Sequence, residues 1–277
     1  MGALQAILRL LGTNPKVTVM RNAVWTLSNL CRGKPIPEFM LVAPAIHVVT
    51  TLLYCEDEET LIDACWTVSY LSDGPNDRIE AIIQSNVVPR LIQIMHTAEY
   101  QAQTAALRCI GNIVTGNDSQ TQYVINHGAL DAIVKLMAHA KKSIRKEACW
   151  TISNITAGSK TQIQSVLTTE GMIAGLMNTL TTGDFDTKKE AAWAICNATS
   201  GGSDDQIDIL VKAGCIKPLC GLLSARDPKI VNVALEGLQN ILDVCFCYIK
   251  QLFLFNTVYF TQAGSRHGDD DGANNYA

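Results

Sequence analysis

The chain has 277 residues, 48% hydrophobic and only 17% charged, which excludes the low-hydrophobicity, high-charge signature of a disordered protein. Lys and Arg number 22 against 26 Asp and Glu, for a net charge of -4. That balance argues against attachment to nucleic acid or acidic lipid by bulk charge and makes a basic ligand the better match. The N-terminal Met-Gly-Ala-Leu-Gln lacks the charged segment, apolar run and cleavage site of a secretory signal, so reduced thiols are expected.

In chain order, one apolar outline recurs six times. GALQAILRLL begins at Gly2, PAIHVVTTLL at Pro44, NVVPRLIQIM at Asn86, GALDAIVKLM at Gly128, GMIAGLMNTL at Gly171 and GCIKPLCGLL at Gly214, at spacings of 42, 42, 42, 43 and 43 residues. A second segment follows each: AVWTLSNL, ACWTVSYL, ALRCIGNI, ACWTISNI, AAWAICNA and ALEGLQNI. Both segments carry apolar residues at i, i+3, i+4 and i+7, the helical period. A shorter helical stretch, such as DSQTQYVI or SDDQIDIL, precedes the next long one. Three helices in a unit of this length predict an all-α armadillo-repeat solenoid with a right-handed superhelix, each repeat completing its neighbour's core. Six repeats are expected over 1–244, the first lacking its short first helix.

Within the second segment the third residue is Trp25, Trp66, Arg108, Trp150, Trp193 and Glu236 in turn, a column that holds all four tryptophans. Four residues on stand Asn29, Tyr70, Asn112, Asn154, Asn197 and Asn240, on the same helix face. Eight residues after the Trp column come Gly33, Gly74, Gly116, Gly158 and Gly201, placed to end a helix in a left-handed residue. A core role would require buried Asn side chains satisfied in an apolar setting, so the pattern favours an open groove. There an Asn amide can both donate to and accept from an extended backbone, and apolar stems with cationic heads suit the slots between indoles. Asp63, Glu147 and Glu190 lie three residues before the Trp column, and Asp73 and Asp118 lie beside the Gly column. These acids favour contact with a basic ligand, while Arg108 should divide the groove by repulsion, the alternative being that it pairs with a nearby acid and faces away from the ligand.

The stretches RNAVWTLSNLCRGKP, DACWTVSYLSDGPND, ALRCIGNIVTGNDSQTQ, KEACWTISNITAG, KKEAAWAICNATSGGS and AGCIKPLCGLL resemble importin α, the adaptor family of nuclear import, from about Gly2 to Val244. The resemblance implies an adaptor that shuttles between cytoplasm and nucleus and binds the Lys/Arg-rich nuclear localisation signals of cargo along a concave Trp–Asn ladder. It aligns the six units with the fourth to ninth of the family's ten repeats. An intact minor signal site would consist of Asn112, Glu147, Trp150, Asn154, Glu190, Trp193 and Asn197, with Asp118 and Tyr70 at its edge. Trp25, Asn29, Asp63, Trp66 and Asp73 would supply part of the major site. The family's segment for importin β and its first three repeats have no counterpart here, which places coupling to that receptor in question.

Residues 245–260 read as an aberrant apolar insert with Lys250 inside, shorter than the about 20 residues of a membrane helix, and 261–277 as a disordered tail. Translated intron and a real terminal helix both remain open for the insert. The ten cysteines read as small core residues, and Cys215 and Cys220 lack a second pair for a metal site. GSKT at Gly158 lacks the glycine spacing of a phosphate loop, the sequons at Asn117, Asn154 and Asn197 have no meaning without secretion, and the histidines are scattered. No catalysis, metal or cofactor is expected. A general armadillo scaffold for signalling or adhesion is the alternative reading.

Overall fold

The computed structural model describes residues 2–33 and 35–245, and all of its regular structure is helical, with no strand among these residues. The insert and tail expected beyond Cys245 lie outside the described residues.

Helix α1 (Gly2–Gly12) pairs with α2 (Val17–Cys31) as the first unit. The second adds a single-turn α3 (Phe39–Val42) before α4 (Ala45–Leu52) and α5 (Glu58–Ser72). Full three-helix units follow: α6 (Asn76–Gln84), α7 (Val88–Thr97) and α8 (Tyr100–Ile113); α9 (Asp118–Asn126), α10 (Ala129–Met137) and α11 (Lys142–Thr156). The fifth comprises α12 (Lys160–Thr168), α13 (Met172–Thr182) and α14 (Phe185–Gly201), and the last α15 (Asp204–Lys212), α16 (Ile216–Leu222) and α17 (228–245). Like helices stack on like: α2, α5, α8, α11 and α14 form one row, α6, α9, α12 and α15 another, and α7, α10, α13 and α16 a third.

The apolar periodicity is what buries. In α10, Leu130, Ile133, Leu136 and Met137 are buried, and in α11, Ile144, Ala148, Cys149, Ile152 and Ile155. They belong to one continuous core that runs the length of the stack. Six cysteines, Cys31, Cys65, Cys109, Cys149, Cys196 and Cys215, are part of it. Burial pushes the Cys65, Cys109 and Cys149 thiols up to about 12. Cys55 is half-buried, and Cys220 and Cys245 are exposed, which corrects the uniform core assignment.

The glycine column also differs from expectation. Of Gly33, Gly74, Gly116, Gly158 and Gly201, only Gly74 has a positive φ, at 157°, close to extended backbone. The left-handed residues at the turn from the short helix into the next are instead Asn86, Gly128, Gly171 and Gly214, with φ of 57°, 81°, 77° and 88°, and Asn14, at 49°, lies between α1 and α2. Gly116 and Gly158 are small for another reason. A Cβ at either would stand 2.1 or 1.9 Å from the side-chain oxygen of Gln120 or Gln162, four residues on.

Those glutamines form a polar ladder. Asn117 with Gln120, Ser159 with Gln162 and Ser203 with Gln206 are reciprocal capping boxes that satisfy the first N–H groups of α9, α12 and α15. Each glutamine is buried, and its amide also donates into the preceding unit: Gln120 to the Asn76 carbonyl at 2.9 Å, Gln162 to Asp118 at 2.8 Å, Gln206 to Lys160 at 2.9 Å. Arg78 takes this place in α6 and donates to the Pro37 carbonyl.

Replacing Gln162 by Ala leaves the Ser159 N–H without its side-chain acceptor and removes the bond to the Asp118 carbonyl across one repeat joint, and should cost about 2 kcal/mol or more. Urea unfolding followed by circular dichroism checks it against Gln122→Ala, whose partner Asn126 lies on the same helix. Equal, small effects in both variants would show that the ladder does not hold the stack.

Candidate peptide-binding face

Helices α2, α5, α8, α11 and α14 position every residue of the Trp and Asn columns up to Asn197. Once α14 commits Ala191, Ala192, Ile195, Cys196 and Ala198 to the core, Glu190, Trp193 and Asn197 are left on its opposite face at i, i+3 and i+7. In α11 the same division leaves Glu147, Trp150 and Asn154. Trp25 is 60% exposed and Trp193 40%, unusual for indoles, whereas Trp66 and Trp150 are half-buried. Trp66 stacks on Tyr70 with ring centroids 5.9 Å apart. Trp150 lies against α8 at Gly111, where a Cβ would stand 2.4 Å from the ring.

The Asn column does structural duty as well. Asn112 is 8% exposed and donates to the Ser69 carbonyl at 3.0 Å and the Ser72 hydroxyl at 3.2 Å. Asn197 donates to the Ser153 carbonyl at 2.9 Å, and Asn240 to the Thr199 hydroxyl at 3.3 Å. These bonds reach 41–44 residues back and tie each unit to the one before. Asn29 donates to the Trp25 carbonyl of its own helix, and the Asn154 amide nitrogen is buried without a hydrogen-bond partner. The sequence argument set buried Asn against an open groove. Asn112 shows that one of these side chains is both buried and satisfied, through a neighbouring repeat that periodicity alone could not place beside it.

Arg108 does not stand alone as a repelling cation. Its Nη2 donates to Glu147 Oε2 at 2.7 Å, its Nε approaches Oε1, and its guanidinium lies 5.4 Å from the Trp150 ring centroid. The Arg108 side chain remains 47% exposed while that of Glu147 is 12% exposed. Burial pushes the Glu147 carboxyl above the ordinary range, and Arg108 opposes the shift. Burial likewise raises Glu190, opposed by Lys146 and Lys189, and raises Asp63, with Glu59 adding to it. Glu190 has no ion-pair partner among the described residues.

Tyr70 and Asp73 line one hollow with Asn29, Arg32 and Ile36, so the structure brings these three expected site residues together. Asp118 lies apart, in a hollow made by α9 and α12 with Tyr123 and Ser159 and without any residue of the Trp or Asn columns. No group of His, Cys, Asp and Glu among the described residues could hold a metal. A further set of residues escaped the sequence reading: acids that cap the long helices and pair with the preceding one. Asp57 binds Arg21, Asp184 binds Lys142 and Arg145, and Asp227 binds Lys189. The Asp-x-x-Thr spacing of Asp57 and Asp184 with Thr60 and Thr187 was the available signal.

The Armadillo/beta-catenin-like repeat family matches residues 1–32, 35–73, 75–115, 117–157, 160–200 and 203–243. The chain belongs to the armadillo-repeat family. Over 243 residues, 88% of its length, it is 56% identical to importin subunit alpha-1b of Oryza sativa subsp. japonica. It is 53% identical over the same length to importin subunit alpha-3 of Arabidopsis thaliana and 56% identical over 242 residues to alpha-4 of that plant. This armadillo chain is thus an importin α homologue that spans about half the length of these relatives, 46% of alpha-1b. Among solved structures it is similar to the designed armadillo repeat protein YIII(Dq)4CqI, with a TM-score of 0.79, 27% identity, and coverage of 86% of this chain and 99% of that one. A second designed armadillo protein, solved in complex with the peptide (KR)4, matches with a TM-score of 0.78 and 28% identity over 86% of this chain and 99% of that one.

The raised Glu190 carboxyl makes a prediction about pH. Its folded pKa lies above the unfolded value of about 4.3, so the folded state binds more protons between the two and stability falls as pH rises through that window. Above the folded pKa the destabilisation is fully present. Glu190→Gln should therefore stabilise at neutral pH, on the order of 0.5 kcal/mol, and change little near pH 4, as read from urea midpoints. A loss of stability at neutral pH would show instead that the scaffold needs this carboxylate.

Proposed function

We propose that the chain acts as the cargo-binding part of a nuclear import adaptor, holding Lys/Arg-rich nuclear localisation signals of cargo proteins in an extended conformation along the Trp–Asn face. The observation that carries this reading is Trp193, a 40% exposed indole one turn from the half-buried Glu190, which has no ion-pair partner among the described residues. An aromatic face and a carboxylate at that spacing suit an apolar stem with a cationic head. Helices stacked at roughly 8–10 Å against an extended rise of about 3.3 Å per residue allot about three ligand residues to each repeat.

On this reading the minor signal site consists of Asn112, Glu147, Trp150, Asn154, Glu190, Trp193 and Asn197, with Tyr70 at its edge, while Asp118, in its separate hollow, is left out. Trp25, Asn29, Asp63, Trp66 and Asp73 contribute part of a major site. The amide donors of Asn112 already serve the scaffold, so it offers its carbonyl oxygen to a ligand N–H. Kinship with importin α subunits supports the adaptor role, the partnership with importin β and passage between cytoplasm and nucleus. The (KR)4 complex of a designed relative supports a basic ligand.

Calorimetry with a peptide of alternating Lys and Arg tests the proposal. Binding should weaken by a few kcal/mol when Trp150 and Trp193 are both replaced by Ala, the scale of interface hot spots. It should also weaken as ionic strength rises from low to physiological, because exposed charge attraction is screened. Affinity unaffected by the double replacement would remove this face as the binding site.

A further inference from the structure

The junction between α8 and α11 is braced unlike its neighbours. Across α2–α5 the capping Asp57 pairs with Arg21, and across α5–α8 Asn112 donates to Ser69. Across α11–α14 both devices occur, Asp184 with Lys142 and Arg145, and Asn197 with Ser153. Neither occurs across α8–α11 among the described residues. The capping position of α11 is Lys141, whose ammonium lies 4.7 Å from the Tyr100 ring centroid, and the Asn154 donor is buried with no partner. What crosses instead is Arg108, paired with Glu147 and laid over Trp150.

Glu147 and Trp150 are the pair that, on the function proposed above, would take a ligand's basic side chain. The equivalent pair one repeat on, Glu190 and Trp193, makes no ion pair or cation–π contact among the described residues, although Lys146 and Lys189 act on Glu190 through charge. We propose that Arg108 is an internal stand-in for a ligand side chain: it fills the Glu147–Trp150 slot from within the chain, so that a basic ligand gains fully at Glu190–Trp193 and must displace Arg108 to use the earlier slot. The guanidinium suits this role because its planar fork matches a carboxylate and stacks on an indole at once. A ligand cation at Glu147 replaces a charge contact already present, and its net gain is only the difference between the two. The same displacement removes the main polar brace between α8 and α11. A ligand carbonyl placed near Asn154 would satisfy its orphan donor, which couples occupancy of the slot to the geometry of this joint.

This inference rests on the basic-peptide reading of the face, and the experiment separates the two. Binding of (Lys-Arg)4 is measured by calorimetry to the full chain and to Arg108→Gln, Glu147→Gln and the variant carrying both, with folding checked by circular dichroism. Arg108→Gln should tighten binding at least about threefold, the scale of an exposed cation–π contact. That gain should vanish in the Glu147→Gln background, and Glu147→Gln alone should cost less affinity than Glu190→Gln. Arg108→Lys, which keeps the charge and loses the planar fork, should show a smaller gain and serves should Arg108→Gln fail to fold. A gain that persists without Glu147, or no gain in either Arg108 variant, would overturn the stand-in role while leaving peptide binding intact. Absence of binding by every form would overturn the basic-peptide reading and this inference with it.

Discussion

Each repeat from the third on hands at least one donor to the repeat before it, and the stack depends on those donors being answered. A buried amide without an acceptor costs about 1–3 kcal/mol, comparable to a substantial fraction of the stability of a small domain. Gln120, Gln162 and Gln206 discharge that requirement along one row of helices, and Asn112, Asn197 and Asn240 along another. Apolar burial drives neighbouring units together but does not by itself fix how far one is rotated on the next. Two rows of directional bonds at separate radii do so, and in fixing that rotation they set the spacing at which Trp150 and Trp193 present their faces.

The candidate face is thus built from the scaffold's own bonding. Where the bracing is complete, across α11–α14, the indole of α14 is exposed and its half-buried acid has no ion-pair partner among the described residues. Where it is replaced, across α8–α11, the acid and indole of α11 are engaged by Arg108. Burial makes Glu147 and Glu190 costly to ionise. Arg108 pairs with the first, and Lys146 and Lys189 act on the second only through charge.

The sequence made the repeat length, the three-helix unit and the Trp–Asn face legible because each rests on local periodicity, and periodicity survives without knowledge of neighbours. Gly116 and Gly158 do stand just past the ends of α8 and α11, but not in the expected left-handed conformation. Their smallness answers Gln120 and Gln162, whose burial exists only once two units are stacked. The true left-handed turns at Gly128, Gly171 and Gly214 were on the page as the first letter of each apolar segment. Which acid Arg108 meets is not legible in the sequence, because its partner Glu147 lies 39 residues away. What sequence could not supply was the register between repeats, and the pairing of Arg108 with Glu147 and the bracing by Asn112 are consequences of that register.

The bonds of both ladders run in one direction, from a later unit to an earlier one, and this makes the solenoid polar in a structural sense. Adding a unit at the C-terminal side introduces donors that find acceptors already folded, as carbonyls of the preceding helices. Adding or removing one on the N-terminal side changes whether the next unit's donors have anywhere to go. Asn29, whose amide turns back onto the Trp25 carbonyl of its own helix, makes no such bond among the described residues. Growth of such a chain from its N-terminus during synthesis therefore proceeds with each new repeat docking onto a surface that is complete before it arrives.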